Sequence, residues 1–232
     1  MKDIEAIAAL QDPVRRRLYE YVAAQGREVG RNEAAEATGV ARTLAAHHLD
    51  RLTEAGLLES GSRRLSGRSG PGAGRPAKVY TRARAERAVS LPARDYRTAA
   101  ELLAEAAEQA GLDAGLYAAA RRRGEALRGS VAPCGGLEEA MEVLAARGYE
   151  PRLEGAEGVD GAEPARAGAC VVRMRNCPFH AVAERFPPLV CGMNLALLEG
   201  LLGTDGPVRA RMEARPGECC VVVEAASKNN ED

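Results

Sequence analysis

The apolar positions of the first eighty residues recur at helical spacing, broken by short turns. Val14, Leu18 and Val22 follow one another at i, i+4 and i+8 behind Asp12 and Pro13, an N-cap followed by proline at the first helical position, and Gly26 closes that helix. A short helix over 32–38 and a tight turn at Gly39-Val40 lead into a third helix over 41–55. Its inward stripe is expected to be Val40, Leu44, Leu49 and Leu52, leaving Arg42, Thr43, Ala46, His47 and Asp50 on the outer side. Leu57-Leu58-Glu59 begins a strand and Lys78-Val79-Tyr80-Thr81 reads as its returning partner, so the Gly/Ser/Arg-rich stretch between them forms the tip of a hairpin.

Further on, Ala99, Leu102, Leu103 and Ala106 mark a helix over 96–109, and a second runs over 113–128. These Ala-rich helices are either carriers of a subunit contact or ordinary internal packing. Past Gly135-Gly136 the pattern turns to α+β: a helix over 137–147, strands over 150–153 and 170–175, a helical stretch over 181–202 bent at Pro187-Pro188, and a hairpin of 208–212 with 219–224. The fold class is therefore α+β, with three expected regions: a helix-and-hairpin domain at 1–83, a helical linker or dimerisation region at 84–134, and an α+β domain at 135–232.

Charge sharpens this division. Residues 1–83 carry 14 Lys or Arg against 10 acids, whereas the remainder carries 18 against 23. Arg63, Arg64, Arg68, Arg75, Lys78 and Arg82 occur without one acid among them, a stretch suited to a polyanion. With no Trp and two Phe, stacking on single-stranded bases is a poor fit, and duplex DNA is the better partner. No run of eighteen apolar residues occurs and the opening MKDIEAIAALQDP lacks a signal-peptide pattern, so a cytoplasmic chain with no membrane partner is expected. Six cysteines in a reducing compartment then point to metal or redox chemistry rather than a disulfide framework.

The order of helix, short helix, tight turn, helix and basic hairpin, with GVARTLAAHHLDRLTEAGLLE as its most specific part and Gly74-Arg75-Pro76 in the hairpin, resembles the winged helix-turn-helix regulators of the ArsR and DeoR-like superfamily. The resemblance implies a third helix in the major groove, with Arg42, Thr43 and His47 nearest base edges, and Arg75 at the wing tip. It also implies a homodimer on an inverted-repeat operator. His48, beside the inward Leu49, reads as a packed histidine.

Chemistry gathers in the last third. NCPFHAVAERFPPLVCGMNLALLEGLL sets thirteen residues between Cys177 and Cys191, and Cys219 and Cys220 follow on another element. Thiolates are soft ligands that suit iron-sulfur clusters and zinc, and the paired C-x-x-C knuckles of a zinc ribbon are missing. This arrangement resembles the SufR-type iron-sulfur repressors, in which a winged helix-turn-helix precedes a domain holding a cluster through three cysteines. The resemblance implies Cys177, Cys191 and Cys219 as ligands of a cluster, 4Fe-4S foremost, with zinc as the alternative metal and His180 and Cys220 as possible further ligands. His180 is either such a ligand, a group that lowers the Cys177 pKa, or a partly buried histidine beside the site. Adjacent strand residues face opposite ways, so one of Cys219 and Cys220 is expected in the core. Cys170, on an apolar strand, is expected there too, and Cys134 reads as incidental. Neither a phosphate loop nor a nucleophile elbow is present, and Cys177 with His180 lacks an orienting Asp or Asn, so no enzyme is expected. A winged-helix protein with a small-molecule effector pocket is the remaining alternative.

Overall fold

A computed structural model describes residues 2–63, 76–155 and 170–226, which fall into two compact units that divide after Arg94. Arg64, Arg68, Gly74 and Arg75 lie outside the described residues.

The first unit runs α1 (Lys2–Ala9), α2 (Pro13–Gln25), β1 (Val29–Gly30), α3 (Arg31–Thr38), α4 (Arg42–Glu54), β2 (Leu58–Arg63) and β3 (Ala77–Arg82). Asp12 caps α2 by accepting from the Val14 and Arg15 amides, and Gly26 ends it at φ 60°. Gly39, at φ 65°, makes the turn from α3 towards α4 that a side chain would strain. The strands form a sheet of order β1-β3-β2, with both pairings antiparallel. Leu18, Val22, Val29, Ala34, Ala45, Leu49, Leu52, Leu58 and Tyr80 share one core. Leu44 is not part of it: the inward face of α4 is Ala45, His48, Leu49 and Leu52, and Leu44 is 43% exposed. Spacing alone allowed either face, because 44 is four residues from inward 48 yet one residue off the row formed by 45, 49 and 52.

The second unit contains α5 (Tyr96–Gln109), α6 (Asp113–Arg128), α7 (Leu137–Ala145), β4 (Pro151–Glu154), β5 (Val171–Met174), α8 (His180–Ala183), α9 (Pro187–Leu202), β6 (Val208–Met212) and β7 (Val221–Ala225). Its sheet has the order β4-β5-β7-β6 and is antiparallel throughout. The helices expected to form a separate region at 84–134 belong to this unit, because α6 packs along the length of α9. Glycine permits that approach: a Cβ on Gly124 would stand 2.1 Å from the Leu197 carbonyl oxygen, and one on Gly200 would stand 2.2 Å from that of Arg121. The expected bent helix over 181–202 is two helices, since the proline pair starts α9 at its first positions instead of bending it. With apolar residues buried around much of its circumference, α9 is the central element of the unit. By contrast α5 buries no residue fully, and Leu102 and Leu103 are exposed along with Tyr96.

Candidate functional site

Two constellations stand out, one in each unit. In the first, α4 presents Arg42, Thr43, Leu44 and His47 to solvent beside the β2–β3 hairpin. A groove is lined by Arg27, Arg31 and Asn32, by Arg42 at the start of α4, and by Ser60, Ser62, Arg63 and Lys78 of the strands. Glu28, Glu33 and Glu36 line it too but are outnumbered by the five cations, as a surface that tracks a phosphate backbone requires. Most of these are held on acids: Arg27 bonds Glu33 at 2.5 Å and Arg63 bonds Glu28 at 3.3 Å.

Asp50, expected on the outer side of this helix, is the half-exposed centre of a network. It accepts from Lys78 Nζ at 2.7 Å, from the Tyr80 hydroxyl at 2.6 Å and from Arg31 at 3.1 and 3.2 Å. Arg31 also donates to the Tyr80 oxygen at 2.8 Å, and both cations lie over the Tyr80 ring. Burial opposes the charge on Asp50, yet the bonds from Lys78 and Tyr80 and the Arg31 charge hold its carboxyl below the ordinary range. Burial first, then the bond to Asp50, push the Tyr80 hydroxyl up to about 12. His48 is buried as expected, with Nδ1 lacking a partner among the described residues, and burial lowers its pKa.

In the second unit four cysteines from three elements converge. Cys177 sits on the loop after β5, where the Phe179 amide donates to its sulfur and its carbonyl accepts from the His180 amide at 3.0 Å. Cys191 occupies the second turn of α9 and lies with its Sγ 3.0 Å from that of Cys220. Cys219 is anchored by its amide to the Met174 carbonyl at 2.9 Å and directs its thiol at Cys177. One of the adjacent pair is in the core, as expected: Cys219 is buried and Cys220 half-buried, and although β7 begins only at Val221 the two side chains turn to different partners.

The thiol of Cys219 and the Phe179 amide hold the Cys177 thiol below its ordinary range against the opposing effect of burial. That same pairing, with burial, pushes Cys219 up, and burial with the neighbouring Cys220 pushes Cys191 up to about 12. Two further residues, not singled out from the sequence, complete the site. The Asn194 amide donates to the Cys219 sulfur at 3.4 Å, while its oxygen accepts from the buried Tyr149 hydroxyl at 2.5 Å. The signal for Asn194 was present: it is the polar residue three places after Cys191 in an otherwise apolar run, and a buried amide needs partners.

His180 is not drawn in. Its imidazole is 65% exposed and meets Glu184 at 3.1 Å. Cys170, expected in the core, is exposed just before β5, and Cys134 is buried apart from the set with its amide on the Leu202 carbonyl.

Among the described residues, no group of three or more Cys, His, Asp or Glu side chains stands ready to hold a metal ion as placed. The donor chemistry nevertheless fits a soft metal. Sulfurs around one tetrahedral ion with bonds of about 2.3 Å stand about 3.8 Å apart. Cys191 and Cys220, at 3.0 Å, therefore need only a small rotation to share one.

Residues 10–61 match the model of a family described as a helix-turn-helix domain. The first unit carries a helix-turn-helix. This supports a transcription regulator that binds DNA, while the match leaves the helices and sheet of the second unit unassigned. No curated protein and no solved structure matches the chain. No helix among the described residues is long and apolar enough to cross a membrane.

Proposed function

We propose that the chain is a repressor of transcription that binds an inverted-repeat operator as a homodimer, and that its second unit answers to redox, nitric oxide or iron status through an iron-sulfur cluster. Arg42, Thr43 and His47 of α4 meet base edges in the major groove, while Arg75 and the wing contact the backbone. The exposed apolar residues of α5 supply a surface for the second copy. Cys177, Cys191 and Cys219 hold the cluster, with Cys220 within the same set. Bound there, the cluster supplies one-electron chemistry and reactivity towards oxidants and nitric oxide.

The chain's own residues explain how such a site reports to the rest of the unit. Cys177 follows β5, Cys191 rides on α9 and Cys219 precedes β7, so the ligands tie the sheet to the central helix. Asn194 orients the Cys219 sulfur, and Tyr149 fixes the Asn194 amide. Releasing the sulfurs frees those three elements from one another. Such a change shifts an operator affinity only if the holo form alone spaces its recognition helices for successive major grooves.

The observation that carries this reading is the convergence of four cysteine sulfurs from three segments in a chain whose other unit has a helix-turn-helix. Anaerobically purified protein is the test, with iron and acid-labile sulfide counted per chain and the visible spectrum recorded. A brown protein with broad absorption near about 400 nm is expected, and its operator affinity should fall on cluster removal. The close approach of Cys191 and Cys220 favours a second reading, a zinc-holding winged-helix regulator, because one ion gathers thiolates more tightly than a cluster does. Colourless protein with one zinc per chain decides for it.

A further inference from the structure

We infer that Asp50 is a positioning residue that fixes the wing to the recognition helix and withholds two cations from indiscriminate phosphate binding. The inference rests on the DNA-binding reading of the first unit and deepens it.

Asp50 stands on α4, Lys78 and Tyr80 on β3, and Arg31 at the first position of α3. One carboxylate thus joins the recognition helix, the returning strand of the wing and the preceding helix, through contacts of 2.6 to 3.2 Å. Tyr80 makes the joint rigid: it is fully buried, and its hydroxyl donates to Asp50 while accepting from Arg31. A contact made for solubility alone would not recruit a buried phenol, since a buried hydroxyl without partners is costly.

The geometry has a second consequence. Lys78 and Arg31 both line the groove that faces the wing, and both are engaged by Asp50. A phosphate that enters must compete with a carboxylate already in place. Any duplex offers phosphates, whereas only a duplex that seats α4 fully in its major groove adds base contacts that outweigh this competition. The acid thereby lowers affinity for arbitrary DNA and preserves the angle between helix and wing that a specific site needs.

Asp50→Asn and Tyr80→Phe separate the two effects. Each full-length variant is titrated by fluorescence anisotropy against a mixed-sequence duplex and against a duplex that the wild-type protein selects from a random pool, over a range of salt. Asp50→Asn, which frees both cations, is expected to bind the mixed duplex more tightly, with a salt slope steeper by about 2, and to prefer the selected duplex several-fold less. Tyr80→Phe, which leaves charge unchanged, is expected to lose preference with an unaltered slope. Melting curves accompany both, and Tyr80→Phe carries the test if Asp50→Asn melts early. Variants that bind both duplexes as the wild type does, or that weaken on both in parallel with an unchanged slope, overturn the clamp. A wild-type chain that binds neither duplex overturns the DNA-binding reading itself, and the clamp with it.

Discussion

Cys191 and Cys220 bring their sulfurs to 3.0 Å across 29 residues of chain, one from the second turn of α9 and the other from the residue before β7. Neither position is dictated locally. The approach depends on Cys219 being tied to the Met174 carbonyl, which places the next residue over α9, and on α9 lying against the sheet through Leu198, Leu201 and Leu202. The adjacent Cys219 completes the arrangement from the other side by reaching Cys177.

That dependence predicts how metal is lost. Cys177→Ser and Cys191→Ser should each remove most of the bound iron or zinc, because a hydroxyl is a hard, weak substitute for a thiolate. Cys170→Ser and Cys134→Ser, at positions outside the sulfur set, should retain it. Elemental analysis of the four purified variants checks this, and equal metal in all four would remove the sulfur set from consideration as a ligand site.

The crossing of α6 and α9 should tolerate no side chain at its centre. A methyl at position 124 or 200 would overlap a backbone carbonyl oxygen, near 2.1 or 2.2 Å, that has no flexible arm to retract. Overpacking of this kind costs about 1–3 kcal/mol. Gly124→Ala should therefore lower the urea midpoint of the second unit, whereas Gly115→Ala, where a Cβ meets nothing within 4 Å, should not. Because α9 carries Cys191, the first variant is also expected to hold metal less well.

Much of the first unit was legible because its elements are long, capped and periodic. Asp12-Pro13 and Gly26 mark the two ends of α2, and in the second unit the spans 96–109 and 113–128 likewise coincide with α5 and α6. What escaped has weak local signals. Helix α1 buries only Ala6 fully while Ile4 and Ile7 stay exposed, so its larger apolar residues do not mark its buried side, and β1 is two residues long. Leu44 misled because a leucine at a helical spacing reads as core, yet alanine and histidine fill that face instead. The cysteine positions were visible as a group, but which sulfur meets which follows from the order β4-β5-β7-β6 and the placement of α9, neither of which is a property of any short segment. The network at Asp50 escaped for the same reason, since its partners lie 19 to 30 residues away.

Stability of the first unit should fall in mild acid because of His48. Burial favours its neutral form, and the Arg15 and His47 charges act in the same direction while Asp12 opposes them. The folded pKa thus lies below the ordinary 6.5, so as pH falls below that value the unfolded chain takes up a proton that the folded chain resists. The contribution is complete above about 6.5 and is lost as pH drops through the folded value. Thermal melts between about pH 5 and 7.5 should show a slope that His48→Gln flattens. An unchanged slope in the variant would assign the acid sensitivity to other groups.

The outer face of α4 makes the remaining prediction. Arg42 stands at its first position and lines the cationic groove, so Arg42→Ala should remove a backbone or base contact and weaken every duplex, with the salt slope reduced by about 1 if the partner is a phosphate. Thr43 and His47 are exposed one helical turn apart, a spacing that reaches neighbouring base pairs. His47→Ala should cost about 1–3 kcal/mol of discrimination at one position of the selected duplex and leave the salt slope intact. Anisotropy titrations against the selected duplex and its single-base variants measure both effects. The two residues part cleanly in that assay: a lost slope marks a contact to the backbone, and a lost preference at constant slope marks a contact to a base.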